Sequence, residues 1–136
     1  DTNSMSYPSD RISIFSGHQY INLETYRKNG KAVTTPVWFA IDDNKIFVVT
    51  GTKTGKVKRL KNNPKVRIVP SGLRGQPKGE WLTGNAVFAN PAQLEHALNL
   101  RIKKYGFKAR LSRLFSRTKG KLIGIIISLD TVTNKD

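Results

Sequence analysis

Along this chain the apolar positions change their period several times, and each change marks an element. After a polar opening, Ser9 stands as a cap before Ile12 and Phe15, which predicts a short helix stopped by Gly17. YINLETYR (20–27) then alternates apolar and polar positions, the pattern of a half-buried strand. Asn29-Gly30 behind it is a hairpin signal, so AVTTPVWFAI (32–41) is the returning strand. Pro36 has no amide to donate to a ladder, which puts this strand at a sheet edge or at a bulge. The turn Asp42-Asp43-Asn44 leads into KIFVVT (45–50), and the three consecutive strands are expected to form a meander.

Two further strands, KVRIVPSG (65–72) and EWLTGNAVFA (80–89), flank the glycine- and proline-bearing loop RGQPKG (74–79). The longest apolar run, LIGIIISL (122–129), is too short to span a membrane and reads as a buried sixth strand. Asn90-Pro91-Ala92-Gln93 has the cap, the proline and the returning amide of a helix start. Leu94, Leu98, Ile102 and Tyr105 share one face of that helix, and Gly106 ends it. A second short helix is predicted over 108–117, with Leu111, Leu114 and Phe115 on one side and Arg110, Arg113 and Arg117 on the other. The pattern predicts an α+β domain over residues 10–136, a six-stranded antiparallel barrel with short helices at its connections, behind a flexible tail of residues 1–9.

Composition narrows the chemistry. The 136 residues suit one domain with one core. Lys and Arg number 24 against 9 acidic residues, a net charge of +15 that attracts phosphates, polyanions or acidic surfaces. There is no cysteine, which excludes disulfides, thiol nucleophiles and zinc ribbons. His18 and His96 are the only imidazoles, so no His-rich metal site and no Ser-His-Asp triad is expected. Residues 1–10 lack the apolar stretch of a signal peptide, and a cytoplasmic protein is expected.

TGTKTGKVKRLKNNP (50–64) resembles a phosphate loop without matching one. A Walker A loop has four residues between its glycines and a hydroxyl after its lysine. Here three residues separate Gly51 and Gly55, and Val57 follows Lys56. The segment reads instead as a strand end and two helical turns stopped at Asn63-Pro64. Thr54 is the expected cap, and the amides of Gly55, Lys56 and Val57 would face an anion. Val57 and Leu60 would pack inward, Lys56 and Arg59 would border that stripe, and Lys58 and Lys61 would point away. Lys56 and Arg59 are therefore the candidate phosphate ligands, with hydroxyls from Thr50, Thr52 and Thr54; the alternative is an ordinary solvated basic helix. Backbone near Thr35 and Val37 could receive a planar ring, and Trp38 and Trp81 are candidates either for stacking walls or for the core.

Together, TTPVWF (34–39), TGTKTGKVKRLKNNP and GEWLTGNAVF (79–88) resemble the pyridoxamine 5'-phosphate oxidase-like split β-barrel family, in its flavin or deazaflavin oxidoreductase branch. The resemblance spans roughly residues 10–130. It implies a homodimer that binds FMN or the deazaflavin coenzyme F-420 at the subunit interface. It also implies a Ser/Thr-Arg-Lys run that holds the cofactor phosphate, matched here by Thr54, Gly55 and Lys56, so the arginine is replaced by glycine. Thr34, Thr35, Pro36 and Val37 match the ring-binding strand, Thr50 and Gly51 lead into the phosphate run, and Trp81 belongs to the third block. The strand lacks the arginine of the true oxidases, which favours the deazaflavin coenzyme over FMN. That coenzyme's phosphodiester and polyglutamate tail suit a groove edged by Lys56, Lys58, Arg59, Arg67 and Lys78.

The function so implied is hydride transfer between the bound cofactor and a small organic acceptor. No catalytic residue is singled out; Tyr20, Tyr26 and Tyr105 are available hydroxyls. Two rivals stand beside it. One is a non-catalytic cofactor carrier. The other is a nucleic-acid-binding barrel, for which Lys103, Lys104, Lys108 and the three arginines of 110–117 supply charge while no aromatic platform is evident.

Overall fold

The computed structural model describes residues 3–6, 11–109 and 121–135. Nine strands are assigned among them: β1 (Asn3–Ser6), β2 (Tyr20–Tyr26), β3 (Ala32–Trp38), β4 (Ala40–Asp42), β5 (Lys45–Gly51), β6 (Lys65–Ser71), β7 (Leu82–Phe88), β8 (Leu122–Leu129) and β9 (Val132–Lys135). Two α-helices join them, α1 (Gly55–Asn62) and α2 (Pro91–Tyr105), with a 3-10 turn over Ile12–Phe15. The Ser9 cap and most of the predicted helix 108–117, with Arg110, Arg113 and Arg117, lie outside the described residues.

Seven strands form one antiparallel sheet in the order β3-β2-β6-β7-β8-β5-β4, and β1 pairs with β9 in a separate two-stranded sheet. The expectation of six strands is corrected on two counts. The run 32–41 is two strands interrupted at Phe39, and the short polar segments NSMS and VTNK, which carry no apolar alternation, pair with each other. The meander is corrected as well. β3 pairs with β2 at one edge of the sheet, whereas β4 pairs with β5 at the other, so a single residue carries the chain between the two edges. The sheet is curled, and its inward side chains meet in one core: Ile21 and Leu23 from β2, Ile46 and Val48 from β5, Ile68 from β6, Leu82 from β7, Ile125 and Ile127 from β8. β3 is an edge strand, and Pro36 sits within its ladder opposite Asn22, a position where a missing donor costs little.

The interruption at Phe39 has a distant cause. Tyr105, at the end of α2, accepts the Phe39 amide at 3.1 Å and donates to the Gln19 carbonyl at 2.6 Å. Lys104 Nζ donates to the Phe39 carbonyl at 2.9 Å. Both backbone groups of Phe39 are thus satisfied outside the ladder, as a buried residue requires. Trp38 lies against Tyr105 with stacked rings 4.2 Å apart, and the Phe39 ring enters the core edge-on to Phe15. α2 is started by a capping box: Asn90 accepts the Gln93 amide and Gln93 returns a bond to the Asn90 amide. It packs through Ala97 and Leu100 on the outer side of the sheet, against Phe47, Val49 and Ile126.

Helix α1 covers another part of the sheet. Val57 and Leu60 are its buried residues, and Leu60 joins the central core, a gain of about 1.5–3 kcal/mol for each side chain fully removed from water. The remaining positions of this helix are available for chemistry.

Candidate cofactor-binding site

The strand that enters the site ends in a web of hydroxyls. Thr54 Oγ1 donates to the Gly51 carbonyl at 2.9 Å and lies 3.4 Å from Thr50 Oγ1. Thr54 occupies the cap position of α1 but makes no side-chain bond to the helix amides. Its hydroxyl closes the turn instead, so it does not compete for the start of the helix, where an anion would be favoured.

Arg59, one turn along α1, folds back over that start. Its Nη1 lies 2.7 Å from the point a Cβ on Gly55 would occupy, so the guanidinium fills space that only glycine leaves open. Nε donates to the Thr25 hydroxyl at 2.7 Å, which anchors the side chain to β2. Burial first, and then the charge of nearby Arg27, hold this guanidinium below its ordinary pKa. Two cations pressed toward each other present a field that an anion would relieve.

A groove of about 420 Å³ runs along this side, lined by Tyr26, Arg27, Lys28, Gly55, Lys58, Arg59 and Asn62. Four of these side chains are cationic and none is acidic. Lys58, expected to point away, lines the groove with Arg59, whereas Lys56 is not among its lining residues. The wheel argument treats α1 as isolated, whereas the β2–β3 hairpin stands beside it and turns the Lys58 side into a wall. Arg27, the last residue of the predicted strand 20–27, and Lys28, in the turn behind it, are supplied by that hairpin.

The remaining candidates lie on β3 and at the start of β7. Thr34 is exposed opposite Glu24, with its hydroxyl 3.4 Å from Glu24 Oε2. Thr35 stands opposite Leu23, Pro36 is exposed, and Val37 packs on the core. Trp81 carries the Arg67 guanidinium 4.7 Å above its ring. Thr50, Gly51 and Thr54 are thus directly linked, and Gly55 with Arg59 forms a second unit.

One cluster joins two sequence candidates, Tyr26 and Arg67, to a residue that the sequence does not single out, Glu24. Glu24 is 6% exposed in the middle of β2 and is held by Arg67 through two bonds, Nε to Oε1 at 2.7 Å and Nη2 to Oε2 at 3.0 Å. Tyr26 donates to Oε1 at 2.8 Å. The Arg67 bond is the main reason the carboxyl is held below its usual range, against a burial penalty that raises it. Burial, then the neighbouring carboxylate, pushes the Tyr26 phenol up. Glu24 shows in the sequence only as an acid inside an alternating strand, and its partnership becomes readable once the register sets Arg67 beside it.

Among the described residues, no helix is long and apolar enough to cross a membrane. No curated protein matches this chain. Solved structures share the fold at low identity. A conserved hypothetical protein from Mycobacterium tuberculosis is 17% identical, with a TM-score of 0.69 over 93% of this chain and 83% of that one. HutZ, the heme storage protein from Vibrio cholerae, is 14% identical, with a TM-score of 0.68 over 96% and 95%. A FAD-binding protein from Mesorhizobium loti is 13% identical, with a TM-score of 0.61 over 96% and 94%. Identities this low establish the fold alone. The sequence profile of the pyridoxamine 5'-phosphate oxidase family, by contrast, matches residues 12–135, and the chain belongs to that family.

Proposed function

We propose that this protein is an oxidoreductase that holds a flavin-type cofactor by its phosphate at the start of α1, with the deazaflavin coenzyme F-420 as the cofactor. The observation that carries the reading is Arg59 folded over Gly55. The family's phosphate run has an arginine where this chain has Gly55, and Arg59 brings a guanidinium to the same place from one turn further on. The cradle therefore fits a phosphate although the motif is altered. Arg27 and Lys58 add charge at the groove, Thr50 and Thr54 brace the turn, and Lys56 matches the lysine of the family run. Thr34–Val37, on an exposed edge strand, offer backbone for the ring.

When bound, the cofactor supplies two-electron hydride chemistry toward a small organic acceptor. The chain positions it, and its cationic groove neutralises the phosphate. F-420 is favoured over FMN because Thr34–Val37 contain no arginine. The family's architecture supports a homodimer with the cofactor between subunits.

The test is a comparative titration of the purified protein with F-420 and with FMN, followed by cofactor fluorescence, with sedimentation before and after. Micromolar binding of F-420, weaker binding of FMN and a dimer are expected. Binding of neither cofactor would sink the oxidoreductase reading, whereas tighter FMN would move the chain to the flavin branch.

A further inference from the structure

The phosphate groove does not end at the cofactor cradle. A second groove, of about 460 Å³, includes Lys65, Arg67, Thr83 and Asp130. The two share Tyr26 as a common wall, and consecutive residues of the α1 exit, Asn62 and Asn63, line one groove each. The β2–β3 hairpin borders both, through Arg27 and Lys28 on one side and Gly30 on the other. Tyr26 thus stands between two neighbouring grooves, lining both.

Its charge is one-sided. Arg67 is already satisfied by Glu24. Arg27, Lys28, Lys58 and Arg59 in the first groove and Lys65 in the second remain, five cations against the single carboxylate of Asp130, which itself accepts from Asn85. A single phosphate needs two or three such groups; a row this long suits a chain of regularly spaced anions. The amides of Asn62 and Asn63 and the Thr83 hydroxyl add bonding groups between the cations. Tyr26, shared by both grooves, places an aromatic ring beside the charge, the combination that binds single-stranded nucleic acid without reading sequence.

We infer that the two grooves, from Arg59 past Tyr26 to Lys65, bind single-stranded nucleic acid. The inference does not rest on the cofactor reading, because the strand is measured without cofactor. Five neutralised phosphates at about 0.7 each give a slope of roughly −3.5 in log affinity against log salt.

The test is fluorescence anisotropy with a labelled random-sequence single strand of twenty nucleotides, over a series of salt concentrations. Two double variants of equal net charge are compared with the parent, Arg27→Ala with Lys65→Ala in the grooves and Lys45→Ala with Lys103→Ala outside them, each checked for fold by thermal melting. The groove variant should lose about tenfold or more in affinity and its slope should become shallower by about 1.4, while the outside variant keeps the parent's slope. Equal losses in both would show attraction by net charge alone and overturn the inference. So would competition by poly-γ-glutamate as effective as that by unlabelled strand, which would assign the grooves to acidic chains instead.

Discussion

The Arg59 guanidinium occupies the place where a side chain on Gly55 would begin, with Nη1 2.7 Å from that point. Gly55→Ala should therefore leave the fold intact, since only the far end of a flexible side chain has to move, and alanine is the better helix former. Binding should suffer instead. Displacing one charge-assisted contact to a phosphate, worth about 1.5–3 kcal/mol, predicts a loss of roughly 10- to 150-fold in cofactor affinity. Isothermal titration and a melting curve read both effects; unchanged affinity would remove Arg59 from the phosphate site.

Lys56 tests the part of the site that rests on motif alone. Lys58 lines the groove and Lys56 does not, yet the family run points to Lys56. Lys58→Ala and Lys56→Ala are each expected to weaken cofactor binding about fivefold, for a point charge worth about 1 kcal/mol, without changing the melting temperature. If Lys56→Ala binds as the parent does while Lys58→Ala is weakened, the lysine of the motif has been replaced by its neighbour two positions on.

Tyr105→Phe should be destabilising out of proportion to one oxygen. The hydroxyl is the acceptor for the Phe39 amide and the donor to the Gln19 carbonyl. Removing it leaves a buried amide unsatisfied, at a cost of about 1–3 kcal/mol in urea unfolding. A change below a few tenths would show that Phe39 needs no such support.

Several features were legible in the residues for local reasons. Asn29-Gly30 forms its hairpin turn with Gly30 at φ 86°, the Asn90–Gln93 box caps α2 as spelled, and Val57 with Leu60 faces inward. Each depends on neighbours within four positions. The edge position of Pro36 was legible too, because a missing donor constrains any sheet. The order of strands was not. The break at Phe39 is made by Lys104 and Tyr105, some 65 residues away in sequence, and nothing in TTPVWFAI announces them. The site divides in the same way: the hydroxyls and Arg59 are local to one segment, whereas Arg27, Lys28 and the Glu24–Arg67 pair enter through the packing of a hairpin on a helix and the register of β6.

The pH dependence of stability should be peaked in the alkaline range. Burial lowers the Lys104 amine from 10.5 to about 8. Between those values the unfolded chain keeps a proton that the folded chain has lost, so stability rises with pH. Burial also raises the Tyr105 phenol from 10.0 to about 12. Above pH 10 the unfolded chain gives up that proton first, and stability falls. Thermal midpoints should climb from about pH 8 to 10 and decline beyond, with Lys104→Met flattening the climb and Tyr105→Phe the decline; a parent profile without the climb would contradict the burial of Lys104.

The passage from β3 to β4 carries one further consequence. An open sheet has two free borders, and either can recruit a foreign strand. Here the two borders are successive stretches of the same chain, stitched at Phe39. Neither can peel away without pulling on the other, so one stitch guards both. A cut in the backbone at Phe39 would leave nearly every ladder bond in place and yet expose two unprotected borders at once. A chain opened there should associate with its own copies while its strand content barely changes.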